Sequence, residues 1–253
     1  GFDYLYDKVG MYDCLRDVMC GYRPASDITR QWQATDDIRE HVLYFLENHD
    51  EQRIASDFFC GNMQKGIPAL IVSALFQRNP VMIYAGQEFG ERGMDSEGFS
   101  GVDGRSTIFD YWSVDAIRKG FFERSELSAE QLQLEKNYRT ILTLCNSEKA
   151  VREGKTFDLT YANEANESFD SSRLFAFLRS SGNTTLLIVA NFGETEAHVR
   201  VNIPSHAFDY MELKEGKKDM VDLLSGNYQT ATLQRDGAVE MIVPAFSGRV
   251  YKF

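Results

Sequence analysis

No run of eighteen apolar residues occurs in this sequence, which excludes a helix long enough to cross a bilayer. The four cysteines, Cys14, Cys20, Cys60 and Cys145, are too few and too scattered for a disulfide scaffold. None stands in Cys-x-x-Cys spacing and none clusters with histidine, so no zinc site is expected. Unpaired thiols suit a reducing compartment, but the compartment stays open. Basic charge is also short: 27 Lys and Arg against 38 Asp and Glu give a net charge of −11, which argues against a nucleic-acid binder. The excess acid is dispersed, with no acidic tail, and its plain role is solubility. There is no internal repeat and no low-complexity tract. No leader peptide is visible, and an opening at Gly1-Phe2-Asp3 reads as a start inside a domain.

What remains is ordinary globular material: 253 residues, 43% apolar, enough for one large domain or two smaller ones. Aromatics are plentiful, and most are expected in the core. Residues 1–148 alternate between helix and strand. Apolar periodicity predicts a helix over 9–19 and a short one over 36–41, with Asp36 and Asp37 in its first turn. A strand follows at 42–47, then a helix over 67–78 with Pro68 in its first turn. Asn79-Pro80 ends that helix. Residues 81–85 are a second strand, apolar throughout. Two fully apolar strands joined by a helix indicate a parallel sheet covered by helices. Residues 91–115 lack periodicity, and so long a connection is usually functional or mobile. A helix over 129–145 follows, with Ser128 as its N-cap.

After Lys149 the texture changes to short β-rich runs at 174–179, 185–191, 197–203, 220–224, 229–233, 239–243 and 248–253. Ser181-Gly182-Asn183 and Asp236-Gly237 are hairpin signals. Seven short strands in this length predict an antiparallel sandwich, with domains at 1–148 and 149–253.

The chemistry gathers at Phe45-Leu46-Glu47-Asn48-His49-Asp50. An apolar run stops on a dense polar cluster, as a buried parallel strand does when its carboxyl end opens onto a site. Asn, His and Asp each need partners if buried, and a cleft supplies them. This hexapeptide resembles a signature of the alpha-amylase family, glycoside hydrolase family 13, of the form Phe-x-x-Asn-His-Asp. Pro80-Val81-Met82-Ile83-Tyr84-Ala85-Gly86-Gln87-Glu88 is similar to that family's eighth-strand exit. The sandwich phrases Leu187-Ile188-Val189-Ala190-Asn191-Phe192, Asp222-Leu223-Leu224-Ser225-Gly226 and Val243-Pro244-Ala245-Phe246-Ser247-Gly248-Arg249-Val250-Tyr251 agree with it. The resemblance implies an α/β fold: strands six to eight of a (β/α)8 TIM barrel over residues 1–148, then the antiparallel β-sandwich called domain C.

The same resemblance implies roles. Asp50 would be the carboxylate that stabilises the transition state of a retaining alpha-glycosidase acting on alpha-1,4-glucans. His49 would donate to the sugar at the cleavage subsite, and Asn48 would orient the pair. Read alone, Asp50 could be only a helix cap. Glu88 could face the cleft or form an ion pair beneath it. Tyr111 and Trp112 could stack on glucose or pack their loop. Arg53 could pair with a carboxylate near Asp50 or be solvated, and solvation is the expectation. Retaining enzymes need two carboxyl groups about 5 Å apart. The nucleophile and acid/base would both lie upstream of Gly1, so this chain alone is expected to be inactive. No cofactor is expected in the chain. The spacing of Asp95, Glu97 and Asp103 fails an EF-hand, and calcium would belong to the intact enzyme. The expected partners are an alpha-glucan oligosaccharide and either a missing N-terminal half of the barrel or a second copy. A transglycosylase or isomerase of the same family, or a non-catalytic carbohydrate-binding or assembly module, is the alternative.

Overall fold

The computed structural model describes residues 1–95, 102–109 and 114–253. Its first part is a parallel sheet of three short strands in chain order: β1 (Leu5–Tyr6), β2 (Val42–Phe45) and β3 (Val81–Met82). Leu5 pairs with Val42, and Tyr44 with Val81. The helices α1 (Asp13–Met19) and α2 (Asp27–Ala34) connect β1 to β2, and α3 (Gly66–Leu75) connects β2 to β3. All ten residues of α3 are buried. That explains why its sequence is apolar apart from Ser73, since a helix covered on every side has no polar face.

Several boundaries differ from the sequence reading. The helix expected over 36–41 is a single 3-10 turn at Arg39–His41, and the helix lies earlier, at α2. Strand β3 stops after two residues, not five. Gln87 folds back so that its Oε1 accepts the Tyr84 amide at 3.2 Å, which takes a donor the ladder would have used. Gly86, at φ 90°, then turns the chain into a 3-10 turn at Gln87–Phe89. A further helix, α4 (Asp115–Phe121), precedes α5 (Ala129–Ser147). Ser128 does cap α5, and the cap is reciprocal: Ser128 Oγ accepts the Gln131 amide while Gln131 Oε1 accepts the Ser128 amide.

The short helix α6 (Lys149–Arg152) leads into the antiparallel part. All seven expected strands form, as β5 (Leu174–Ser181), β6 (Thr184–Asn191), β7 (Ala197–Ile203), β8 (Gly216–Asp222), β9 (Tyr228–Leu233), β10 (Gly237–Val243) and β11 (Ser247–Lys252). An eighth, β4 (Lys155–Asp158), and a helix, α7 (Ser205–Met211), were not foreseen. One sheet runs β4-β5-β6-β11-β8-β9 and the other pairs β10 with β7. Gly182-Asn183 is a true hairpin turn, with Ser181 opposite Thr184. Asp236-Gly237 is not. It carries the chain from β9 in the large sheet to β10 in the small one, so it turns a corner between layers.

The large sheet is covered on both faces. Its inner face, with Ala176, Leu178, Leu187 and Val189, meets Val199, Val201, Met241 and Val243 of the small sheet. Its outer face, with Phe175, Phe177, Ile188 and Val250, shares a core with α3 and α5. Phe76 inserts edge-on between Phe175 and Phe177, at 5.1 and 4.9 Å between centroids. Double coverage explains why β5 reads as a continuous apolar run while β7 alternates. The glycine in β11 permits this approach: a Cβ on Gly248 would lie 2.7 Å from Ile71 Cδ1 and 2.6 Å from the Val189 carbonyl.

Arg179 is fully buried at this junction with no carboxylate among its hydrogen-bond partners. Its guanidinium donates to the carbonyls of Leu75 and Phe76, which end α3, and of Ala150, Val151 and Gly154 at the end of α6. Terminal carbonyls left over by two helices thus supply the partners of one cation.

Candidate functional site

The run from Tyr44 to Asn48 is buried, and the chain surfaces at His49 and Asp50. Asn48 makes this turn. Its Oδ1 accepts the amides of Asp50 and Glu51, each at 2.9 Å, which closes a local turn and aims the next two side chains outward. His49 Nε2 and Asp50 Oδ2 lie 3.5 Å apart, and both side chains are largely exposed. They line an open cavity of about 530 Å³ whose opposite wall is the loop 103–109, with Arg105 and Phe109 prominent on it.

Beneath this surface lies a buried ion pair. Glu47 and Arg53 are 2% and 1% exposed and meet at 2.7 Å. Arg53 also donates to the Ala85 carbonyl at 2.8 Å and to Ser106 Oγ at 3.0 Å, and its guanidinium lies 4.1 Å from the Tyr84 ring centre. The other Glu47 oxygen accepts the Ile54 amide at 2.8 Å. Burial raises the Glu47 carboxyl above its usual range, against the charge and hydrogen bonds of Arg53 and the Ile54 amide. The expectation of a solvated Arg53 is therefore overturned in favour of the alternative, a pair with a nearby carboxylate. Its charge is needed inside, because a buried Glu47 without it would face uncompensated desolvation. Arg53 joins the end of β2, the exit of β3 and the loop 103–109 in one network.

That loop is fastened from three directions. Arg105 Nε donates to the Asp50 carbonyl at 2.7 Å and pairs with Asp103 at 2.9 Å. Tyr84 Oη donates to the Ser106 carbonyl at 3.2 Å. The Gly104 carbonyl accepts the Arg53 amide at 2.7 Å. Gly104 sits at φ +87°, where an added Cβ would come within 2.6 Å of Ser56 Oγ, so both conformation and space require glycine.

The other expected site residues stand as follows. Glu88 lies on the turn after β3, outside the lining of the His49–Asp50 cavity. Its Oε2 is buried with no hydrogen-bond partner, and burial raises its carboxyl above the usual range. It neither meets the cleft wall nor forms an ion pair among the described residues. Its neighbour Gln87 donates to Tyr138 Oη at 2.9 Å and ties the strand exit to α5. Tyr111, Trp112 and Glu97 lie outside the described residues. Among the described residues no group of three His, Cys, Asp or Glu is arranged to hold a metal. Arg105 and Phe109 were not foreseen. The available signal was the polar, glycine-containing stretch between Asp103 and Thr107, where loops over strand ends carry function.

The cavity lining thus combines a carboxylate, an imidazole, a guanidinium and the Phe109 ring. Asp103, the other carboxyl on the wall, is engaged by Arg105 through side chain and backbone. Asp50, by contrast, is largely exposed and has the His49 imidazole beside it.

No protein-family profile and no curated protein sequence matches this chain. Solved structures do match in fold. A noncanonic maltogenic alpha-amylase from Thermotoga neapolitana superposes with a TM-score of 0.68 at 15% identity, over 100% of this chain and 51% of its own. The protein AmyP, solved in complex with maltose, gives 0.69 at 14% identity, over 99% of this chain and 50% of its own. The cyclomaltodextrin glucanotransferase CldA, described as having a three-domain ABC distribution, gives 0.61 at 16% identity, over 96% and 43%. The chain thus has the fold of the C-terminal part of an alpha-amylase and spans about half the length of the structures it matches.

Proposed function

We propose that this chain is the distal part of a retaining alpha-glycosidase that acts on alpha-1,4-linked glucans, with Asp50 as the carboxylate that stabilises its transition state. The observation that carries the reading is the Asn48 turn. A buried side chain fixes two backbone amides so that His49 and Asp50 emerge together at the carboxyl end of a parallel strand. Parallel α/β proteins place their chemistry at that end. The matching folds include alpha-amylases, one of them complexed with acarbose, and the protein AmyP solved with maltose.

In this reading the sugar carbon gains positive charge as the glycosidic bond breaks. A fixed carboxylate beside that carbon lowers the barrier, because its dipolar surroundings are already organised. His49 donates a hydrogen bond to a sugar hydroxyl, and Arg105 lines the facing wall. The nucleophile and the acid/base come from strands outside this chain, and 253 residues alone do not turn over substrate. Pure chain that hydrolyses a maltooligosaccharide would overturn that part of the reading. Glucan transfer uses the same carboxylates, and the likeness to a cyclomaltodextrin glucanotransferase keeps it as a second reading.

The same assignment gives the three-stranded sheet a partner. Among the described residues β1 has β2 on one side only, and Phe2, Tyr4, Leu5, Tyr6 and Val9 around it are 49–91% exposed. Parallel sheets of this kind are buried on both faces and flanked by further strands. We assign the occupant as the remaining barrel strands of the same enzyme. Ultracentrifugation of the isolated chain tests this: concentration-dependent association is expected, and a clean monomer at high concentration would count against it.

A further inference from the structure

Two of the four cysteines meet in space. Cys20 ends α1, Cys60 ends the segment that follows the candidate site, and their sulfurs lie 3.8 Å apart. Both are half-buried. The surrounding structure holds them together. Arg16, on α1, lies 4.5 Å from the centre of the Phe59 ring and donates to Gln52 Oε1 at 2.9 Å, while its other nitrogen pairs with Glu51 at 3.5 Å. On the Cys60 side, the Cys60 amide donates to the Ile54 carbonyl and the Gly61 amide to the Ser56 carbonyl, so the backbone there is folded on itself.

Cys20 also lines an open cavity of about 680 Å³ shared with Arg23, Lys65, Arg173, Glu194 and Phe246. That volume admits a tripeptide-sized reagent. The hydrogen bond from Cys60 lowers the Cys20 thiol to about 7. Burial opposes this, the charges of Arg16 and Lys65 assist, and Asp17 opposes. The same contact and burial raise Cys60. Burial, opposed by Arg23 and assisted by Asp27 and Asp17, pushes Cys14 up to about 11, and burial also raises Cys145. One thiol of four therefore has both access and thiolate character, and it has a second sulfur in reach.

We propose that Cys20 and Cys60 form a redox modification site, in which Cys20 exchanges with a low-molecular-weight peptide disulfide entering the cavity and Cys60 resolves the product. The Cys20 thiolate attacks one sulfur of the reagent. The reagent's S–S bond breaks, and one thiolate leaves. Cys60 then loses its proton to solvent and attacks the Cys20 sulfur, which expels the second thiolate. The protein pair is oxidised by two electrons, and one disulfide becomes two thiols. The resulting bond fastens the segment behind Asp50 to α1. This inference stands independently of the glycosidase reading, since no sugar chemistry enters it.

The test is exposure of the reduced chain to oxidised glutathione, followed by intact mass and peptide mapping. Wild type is expected to lose two hydrogens and yield one linked peptide pair containing Cys20 and Cys60. Cys60→Ser is expected to stop at a glutathione adduct on Cys20, formed about ten-fold faster than any adduct on Cys14 or Cys145. The rate should fall as pH drops below 7, because the thiolate is the nucleophile. Cys20→Ser should lose the fast reaction, and Cys14→Ser should keep it. Mapping of wild type alone decides the matter if a variant fails to fold. A stable mixed disulfide in wild type, a first adduct on Cys14 or Cys145, or unreactive sulfurs would each overturn the proposal.

Discussion

Replacing Arg53 by Met isolates the buried pair beneath the candidate site. The change removes the 2.7 Å contact to Glu47 and the donors to Ala85 and Ser106, while Met fills similar space. Removing one partner of a buried ion pair costs about 3–5 kcal/mol, because the other charge is left without compensation. The sign with pH follows from Glu47. Its folded carboxyl is already raised by burial, and Arg53 opposes that rise. A carboxyl with a raised folded value binds more protons folded than unfolded, so stability is lost as pH climbs through that value. Without Arg53 the rise is larger. The deficit of Arg53→Met should therefore grow between about pH 5 and about pH 8 in urea unfolding. Adding Glu47→Gln removes the stranded charge, and the double variant should recover about 1–3 kcal/mol of the loss near pH 8. A deficit that is equal at both pH values, with no recovery in the double variant, would refute the reasoning.

Arg179→Met removes the donor from five carbonyls, four of these bonds buried and the one to Gly154 part-buried, and at about 1 kcal/mol for each lost hydrogen bond it should cost about 3–5 kcal/mol. Calorimetry should show the melting temperature fall, and a change within experimental scatter would contradict the role given to this cation. Gly104→Ala forces a left-handed conformation on a residue with a Cβ pressed against Ser56, at about 1–3 kcal/mol. Limited proteolysis should then cut the loop near residues 103–109, and unchanged resistance would count against the close approach.

Much of the fold was legible because double burial and alternation leave opposite marks on sequence. The run 174–178 is apolar throughout because both faces of β5 are covered, and β7 alternates because one face is not. The Ser128–Gln131 cap could be read because its donors and acceptors are all local. Helix α2 escaped notice because only Ile28 and Trp32 of its eight residues are large and apolar, too thin a stripe to set a period. The corner at Asp236-Gly237 looked like a hairpin because the turn residues are those of a hairpin, and which sheet receives the next strand is a tertiary matter. At the site, the trio 48–50 stood out as polar residues at the end of an apolar run. The burial of Arg53 did not, because its partners come from β2, the exit of β3 and a distant loop, and no local pattern records that convergence.

The central claim is that Asp50 stabilises a glycosidic transition state. The direct measurement is maltooligosaccharide turnover by the full-length protein beside its Asp50→Asn variant. The account predicts kcat lower by about 10²–10³-fold or more with the fold retained, as when a preorganised electrostatic contact is removed. A variant as active as the parent, or a parent that binds the sugar without cleaving it, would contradict the claim, and the second outcome would favour a carbohydrate-binding module.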